Sequence, residues 1–248
     1  MTFLRSLIFV IYLYGSMVLL GILFLPALLL PRSATLLGIR IWAHLAIWGM
    51  RWIMGASLEF RGKEHRPDTP VLIAAKHQSM LDTLVPFILF KDPCIILKKE
   101  LLWYPIFNIY ALKTEMIAID RSGSTKTLKE MTKKAKAARD KGRSLLIFPE
   151  GTRFPPGAEP DYKPGIAFLY RELDLGCLPI ALNTGLCWPG KGMMRKPGKM
   201  VIECLPVIEP GLTRKTFMAE LETRIETASA KLLEEGLAAQ GGKLTSDT

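Results

Sequence analysis

A histidine and an aspartate five residues apart, His77 and Asp82 in the segment KHQSMLD, form a candidate catalytic pair. Neither of the other two histidines has a carboxylate five residues further along the chain. Five residues of a regular helix turn by about 140°, so the two side chains can meet only where the chain bends. An aspartate that accepts a hydrogen bond from one imidazole nitrogen leaves the other nitrogen as a base near neutral pH. The pair therefore predicts general-base catalysis with a substrate hydroxyl as the nucleophile.

The segment FPEGTR, residues 148–153, carries a second set of polar groups. Gly151 permits a tight turn, and Thr152 and the backbone amides around it can donate hydrogen bonds. Arg153 presents a planar fork that suits a phosphate group. Glu150 is expected either to orient Arg153 or to bind a hydroxyl of the acceptor.

Further cationic side chains follow two other apolar runs. Lys98 and Lys99 come directly after residues 95–97, and Arg121 stands beside Asp120, which is placed to hold it. Ammonium and guanidinium groups brought together would form a cradle for an anion such as a glycerol phosphate headgroup. The sequence thus predicts phosphate binding as well as base catalysis.

The order of these segments resembles the glycerolipid acyltransferase family. Four of its blocks are matched in sequence: HQSMLD at 77–82, IDR at 119–121, FPEGTR at 148–153 and LPIAL at 178–182. The resemblance covers about residues 58–210, and the combination of His-x4-Asp with FPEGTR is specific to the family. Three positions depart from the family pattern: Lys76 where asparagine is common, and Asn108 and Glu115 where glycine is common.

The resemblance implies an activity and a set of site residues. The family's best-known members transfer a fatty acyl group from acyl-CoA or acyl carrier protein to the sn-2 hydroxyl of 1-acylglycerol 3-phosphate. His77 would then be the general base and Asp82 its partner. The substrate-binding residues are expected to be Lys98, Arg121, Glu150, Gly151, Thr152 and Arg153. No metal and no cofactor beside the acyl thioester is expected.

Alternating apolar runs and helical stretches beyond residue 58 are typical of an α/β domain. Five runs are apolar throughout, as strands covered on both faces are, and each is followed at once by polar residues: 71–75, 95–97, 116–119, 145–148 and 178–182. In an open sheet, ligands bind beyond the carboxyl ends of the strands, so the five ends are expected to converge on one site. The predicted fold is a mixed, largely parallel sheet flanked by helices, two of them over 124–141 and 213–235.

The amino-terminal segment predicts membrane attachment. Residues 6–30 contain no charged side chain, and 25 residues are enough to cross a hydrocarbon core of about 30 Å. This run is longer than the apolar core of a cleavable signal peptide, so we expect it to be retained.

Residues 33–57 have the composition of a helix that lies at the membrane interface. Arg40, His44 and Arg51 would reach lipid phosphates along one edge, while Trp48 and Trp52 would lie at headgroup depth. The alternative is a second membrane crossing whose charged side chains snorkel or pair.

We accordingly predict three regions: membrane-anchoring helices over 1–57, an acyltransferase domain over 58–235 and a flexible tail over 236–248. The expected partners are membrane lipid, lysophosphatidic acid and either acyl-CoA or acyl carrier protein, and not nucleic acid. The expected location is the cytoplasmic membrane, with the active site facing the cytoplasm, where both acyl donors are found.

The composition narrows the classes of partner that the protein could bind. A formal net charge of +10 indicates an anionic partner, and the apolar amino terminus favours a bilayer or a phosphate-bearing substrate over nucleic acid, since the basic charge is dispersed. The four cysteines lack paired spacing and are expected to be small core residues. Two alternatives stay open: the same chemistry on glycerol 3-phosphate or another lysophospholipid, and a non-enzymatic protein that binds anionic lipid.

Overall fold

The computed structural model describes residues 1–120 and 125–241. Within them the strands are β1 Ala56–Arg61, β2 Leu72–Ala75, β3 Cys94–Lys98, β4 Ile117–Ile119, β5 Leu145–Ile147, β6 Cys177–Leu182 and β7 Gly198–Cys204. The α-helices are α1 Thr2–Leu23, α2 Arg32–Gly49, α3 Leu81–Leu84, α4 Pro86–Leu89, α5 Phe107–Lys113, α6 Thr125–Asp140, α7 Gly165–Leu173 and α8 Arg214–Ala239. Short 3₁₀ segments occupy Leu25–Leu29, Lys63–His65, Lys99–Trp103 and Thr184–Leu186, and a π-helical turn occupies Met50–Met54.

The seven strands of the described residues form one sheet in the order β1-β7-β6-β2-β5-β3-β4. Every neighbouring pair is parallel except β6 and β7, which are antiparallel. The predicted fold class, a mixed and largely parallel sheet flanked by helices, is therefore confirmed. All five predicted strands are present as β2 to β6 and are mutually parallel, so their carboxyl ends lie along one edge of the sheet.

Alternate side chains of the central strands pack into two separate hydrophobic cores, one on each face of the sheet. On β2, Ile73 and Ala75 pack with α1, α2 and the short helices α3 and α4, whereas Leu72 and Ala74 pack with α6, α7 and α8. Because both faces of the strands are covered, the predicted pattern of continuous apolar residues follows. Each fully buried large apolar side chain stabilises the fold by about 1.5–3 kcal/mol relative to exposure.

Helix α1 is attached to the domain along a narrow strip and is apolar on the rest of its surface. Its buried residues are Ser6, Phe9, Leu13 and Gly21. Among the described helices, α1 alone has the length and hydropathy needed to cross a membrane, with a mean hydropathy of 2.3. The predicted apolar run continues to residue 30, but the α-helix ends at Leu23, because Pro26 has no N–H to donate and its ring would clash with the carbonyl four residues earlier.

The segment 33–57 differs from the predicted single interfacial helix. Helix α2 and the turn after it bury one face in the core, and Gly55, with a left-handed φ of 70°, ends the turn before β1 begins. Trp48 and Trp52 are exposed, as expected for an interfacial position. Arg40, in contrast, donates to the backbone oxygen of Phe87 at 3.1 Å and so belongs to the protein's own packing.

Two strands lie outside the predicted set. β1 and β7 pair with each other at one end of the sheet, with burial that is only partial along β1. The helix predicted over 213–235 is α8, whose Thr213 side chain accepts a hydrogen bond from the Thr216 amide, and it extends to Ala239. The division into regions 1–57, 58–235 and 236–248 stays a prediction.

Candidate active site

The bend that the histidine–aspartate pair requires is present at the end of β2. His77 follows the strand by two residues, and Asp82 lies in the first turn of α3. Nδ1 of His77 lies 3.1 Å from Oδ2 of Asp82, and both side chains are buried. The predicted pairing of these two residues is thus present in the geometry.

Other donors besides the histidine hold the Asp82 carboxylate. Its Oδ2 accepts from the amides of Gln78 and Ser79, each at 2.7 Å, and its Oδ1 accepts from the hydroxyls of Ser79 at 2.9 Å and Thr184 at 2.6 Å. A carboxylate with this many donors is held in one orientation, and its charge is compensated by dipoles although no solvent reaches it. The orientation of the imidazole follows from that of the carboxylate.

The other side of the imidazole rests on an aromatic ring. Phe148 stacks on His77 with ring centroids 3.9 Å apart and planes 16° from parallel. Within the described residues, Nε2 has no hydrogen-bond partner. A neutral imidazole that donates through Nδ1 to Asp82 presents Nε2 as its lone-pair nitrogen, so the arrangement can accept a proton from a bound hydroxyl.

Lys76 and Glu150 form a buried ion pair directly behind His77. Nζ of Lys76 lies 2.9 Å from Oε1 of Glu150 and 2.8 Å from Oε1 of Glu226 on α8. The other oxygen of Glu150 lies 3.5 Å from the His77 amide. Tyr162 donates to Oε1 of Glu226 at 2.8 Å, so the cluster links three separate parts of the chain.

Burial dominates the electrostatics of this cluster. Burial raises the pKa of Glu150, with the Lys76 ammonium opposing the rise. Burial, together with the charge of Glu226, holds the pKa of Tyr162 far above its usual range, so its hydroxyl keeps its proton and stays a donor. Because the Glu150 carboxylate is enclosed and bonded to Lys76, it does not orient Arg153 directly, in contrast to one of the two predicted roles.

The loop after β5 brings the remaining residues of FPEGTR to the surface. Gly151 has φ of 69°, the left-handed conformation that glycine adopts without strain, and its amide donates to the Phe148 oxygen at 2.9 Å. Thr152 and Arg153 are exposed, and Nη1 of Arg153 donates to the Gly190 oxygen at 3.3 Å. The amide of Phe154 donates to the His77 oxygen at 3.0 Å, which fastens this loop to the catalytic segment.

The predicted cations of β3 and β4 lie on the same edge of the sheet. Lys98 ends β3, two strand positions from β2, which places it about 10 Å from that strand. Its side chain is half exposed and lies 3.5 Å from Glu100. Lys99 lies 3.5 Å from Asp120 at the end of β4. Arg121 lies outside the described residues.

Several residues of this site were missed by sequence reasoning. Thr184 lies two residues after the end of β6, and its position near a strand end was a usable signal. Ser79 lies inside the recognised block. Glu226 and Tyr162 carried no signal, because their contacts with Lys76 and with each other join positions 64 to 150 residues apart in the chain.

No group of three or more His, Cys, Asp or Glu side chains that could hold a metal ion is found over 1–120 and 125–241. The four cysteines are free and buried, which confirms the prediction that they are core residues.

Known proteins resemble this chain in both sequence and fold. A family model described as Acyltransferase matches residues 57–183. The 1-acyl-sn-glycerol-3-phosphate acyltransferase of Pseudomonas aeruginosa is 34% identical over 233 residues, which cover 93% of this chain and 91% of that protein. The mouse 1-acyl-sn-glycerol-3-phosphate acyltransferase alpha is 29% identical over 201 residues, 77% of this chain and 70% of that protein.

The fold is also found in a solved structure. The crystal structure of the 1-acyl-sn-glycerophosphate (LPA) acyltransferase PlsC from Thermotoga maritima matches with a TM-score of 0.78, covering 94% of this chain and 98% of that one, at 21% identity. At that identity the match shows the architecture. The family model and the relative at 34% identity show that this chain belongs to the acyltransferase family.

Proposed function

We propose that this enzyme transfers a fatty acyl group from an acyl thioester to the sn-2 hydroxyl of 1-acylglycerol 3-phosphate, forming phosphatidic acid. The observation that carries the proposal is the pairing of His77 with Asp82 at 3.1 Å, which leaves Nε2 as the available base. The name of the Pseudomonas aeruginosa relative, which spans nearly the whole chain, supports the acceptor.

In the proposed reaction His77 accepts the proton of the acceptor hydroxyl through Nε2. The hydroxyl oxygen attacks the thioester carbonyl carbon, and a tetrahedral intermediate forms. Its collapse restores the carbonyl, now that of the new ester, and breaks the carbon–sulfur bond, and the imidazolium returns the proton to the leaving thiolate. The products are the diacyl phosphate and the free thiol of coenzyme A or acyl carrier protein.

Asp82 supports both protonation states of the histidine in this scheme. It orients the imidazole in the resting enzyme and stabilises the imidazolium that forms during attack. Because five contacts hold its two oxygens, it can do this without a change of position.

The acceptor phosphate is proposed to lie at the carboxyl edge of the sheet, beside the loop after β5. Lys98 and Arg153 are exposed there, and Arg121 belongs to the same proposed set, with Gly151 and Thr152 shaping the loop. These cations favour a phosphate monoester over a zwitterionic headgroup, because a monoester carries more negative charge. Glu150 would support the site through Lys76 and the His77 amide.

We also propose that the protein resides at the cytoplasmic membrane with its site facing the cytoplasm, where acyl-CoA and acyl carrier protein are found. The exposed apolar surface of α1 supports membrane attachment. Fractionation of cells, followed by protease digestion of intact inverted and right-side-out vesicles, tests the orientation. Digestion of residues 58–235 in right-side-out vesicles would contradict it.

The activity is tested with detergent-purified protein, labelled acyl-CoA or acyl carrier protein, and a panel of acceptors. We expect product from 1-acylglycerol 3-phosphate, and His77→Ala is expected to reduce the rate by about 10²- to 10⁴-fold, the contribution typical of a general base. His44→Ala is the matched control, because His44 is exposed on α2, and it should keep full activity. Transfer only to another acceptor would replace the substrate and keep the mechanism, whereas no transfer to any acceptor would contradict the proposal.

A further inference from the structure

Arg195 carries a guanidinium whose hydrogen bonding is incomplete. It lies in the loop between β6 and β7, where Nη1 donates to the Gly192 oxygen at 2.8 Å and the group lies 5.6 Å from the centre of the Trp188 ring. Its Nε is buried and has no hydrogen-bond partner among the described residues. A buried donor without a partner costs free energy, so its retention calls for a ligand or another explanation.

A second guanidinium lies against this loop, although its residue, Arg153, belongs to the loop after β5. Arg153 donates to Gly190, two residues before the carbonyl that Arg195 uses. A side chain at Gly190 would meet the Cβ and Cδ of Arg153 at 3.0 and 3.2 Å, so the glycine lets Arg153 pass over the loop. Within the described part of the chain neither arginine forms an ion pair with a carboxylate.

The two charges act on each other. Burial, in the first place, and the nearby positive charge of Arg153 lower the pKa of Arg195. Like charges held together without a counter-ion are unfavourable, and an anion between them would remove this cost.

This loop is packed against the catalytic segment. A Cβ at Gly190 would lie 2.8 Å from the backbone oxygen of Gln78, the residue after His77. The Gly185 amide donates to Oε1 of Gln78 at 3.0 Å. The loop that carries Arg195 and accepts a hydrogen bond from Arg153 therefore borders the catalytic segment.

Helix α1 fixes the backbone of Arg195. The Arg195 amide donates to Oγ of Ser6 at 2.9 Å, and the same hydroxyl lies 3.2 Å from the Arg195 oxygen. Phe9, one turn further along α1, packs edge-on against Trp188 with ring centroids 5.2 Å apart. Arg195 is thus placed where the apolar helix meets the catalytic domain, which is where the headgroup of a lipid with its acyl chain in the bilayer would lie.

We propose that Arg195 and Arg153 together bind the phosphate group of the acceptor lipid. The inference rests on the proposed function and adds a binding residue that lies outside the recognised blocks. Two arginines offer the paired donors that a phosphate monoester accepts, and Ser6 links the position of one of them to the membrane helix.

The test compares Arg195→Gln, Arg195→Lys and the control Lys191→Gln, which removes an exposed charge from the same loop. Initial rates are measured in uncharged detergent micelles against 1-acylglycerol 3-phosphate and separately against acyl-CoA. Arg195→Gln should raise the acceptor KM by roughly 10- to 100-fold, as expected for losing charge-assisted hydrogen bonds, with kcat changed by less than about threefold. Arg195→Lys should recover part of the loss, since it keeps the charge without the fork, and Lys191→Gln should match wild type.

Three outcomes would overturn the proposal. An unchanged acceptor KM would remove Arg195 from the site. An increase only in the acyl-CoA KM would assign it to the donor's phosphates. A loss of activity seen only in vesicles with anionic lipid, and not in micelles or zwitterionic vesicles, would assign Arg195 to the lipid surface.

If Arg195→Gln fails to fold, Arg195→Lys alone is used for the test, and an acceptor KM equal to that of wild type would then contradict the proposal. Wild-type protein without transfer activity would instead contradict the proposed function itself.

Discussion

Lys76 and Glu150 form an ion pair in which both side chains are almost fully enclosed, with 3% and 0% of their surface exposed. The pair joins the end of β2 to the FPEGTR loop, and Glu226 joins both to α8. The ion pair therefore holds together the two segments that carry the candidate catalytic and phosphate-binding residues.

Removal of the lysine charge is expected to destabilise the fold. Lys76→Met leaves Glu150 buried without its cation, and breaking a buried pair in this way costs about 3–5 kcal/mol in the free energy of unfolding. Urea unfolding in detergent measures the loss. Lys163→Met is the control, because Lys163 and its partner Asp161 are exposed, and it should change stability by less than about 0.5 kcal/mol. Equal stability of Lys76→Met and wild type would contradict the structural role of the pair.

Thr184 is expected to contribute to catalysis through Asp82. Thr184→Val keeps the shape of the side chain and removes the hydroxyl that donates to Oδ1 at 2.6 Å. We expect kcat to fall by about tenfold, which corresponds to one hydrogen bond of about 1.4 kcal/mol, with little change in either KM. Thr184→Ser should restore most of the rate, since it keeps the donor. A rise in the acceptor KM at unchanged kcat would instead assign Thr184 to substrate binding.

The cysteines are expected to be unreactive in the folded protein. Burial raises the pKa of Cys94, Cys187 and Cys204 to about 11, and raises that of Cys177 as well. Since the thiolate is the reactive form, iodoacetamide at pH 8 should leave the native protein unmodified and active, and mass spectrometry should find four modified thiols in urea. Rapid modification of the native protein would contradict this burial.

The raised pKa values of the buried thiols predict that the protein becomes less stable at alkaline pH. Thiols in the unfolded chain lose their protons near pH 8.5, whereas in the folded protein they keep them up to about pH 11. Between these values the folded state binds more protons than the unfolded state, so the free energy of unfolding falls as the pH rises. Urea unfolding at pH 8 and pH 10 measures the fall, and replacing Cys94 and Cys204 by alanine should reduce it.

The attachment of α1 is expected to depend on Gly21. A Cβ at this position would lie 2.5 Å from Cγ2 of Ile106, a residue held at a strained φ of 69°, and Tyr110 donates to the Gly21 oxygen at 2.7 Å. Gly21→Ala should therefore lower the free energy of unfolding by about 1–3 kcal/mol. Gly15→Ala is the matched control in the same helix, because nothing lies within 4 Å of its Cβ, and it should be neutral or stabilising by up to about 1 kcal/mol. The reverse order of the two variants would contradict this packing.

Sequence reasoning succeeded where the signal is local. The strands β2 to β6 were predicted because strands covered on both faces are apolar throughout, and α8 was predicted from its amphipathic pattern. β1 was missed because it is only partly buried and has no continuous apolar run, whereas the buried run 200–202 of β7, as long as that of β3, was a usable signal. The end of α1 at Leu23 was missed because hydropathy continues through Pro26 although the helical hydrogen bonding does not.

The sequence by itself determined which residues could do the chemistry: a histidine and an aspartate at a spacing that demands a bend, arginines at strand ends, and an apolar amino terminus. Only the tertiary structure decided which of them touch. Thr184 bonds to Asp82, Glu226 bonds to Lys76, and Arg153 bonds to the loop that carries Arg195, each between segments tens of residues apart. The physical reason is that propensity and periodicity act over a few residues, whereas burial brings distant polar groups together and leaves each of them in need of a partner.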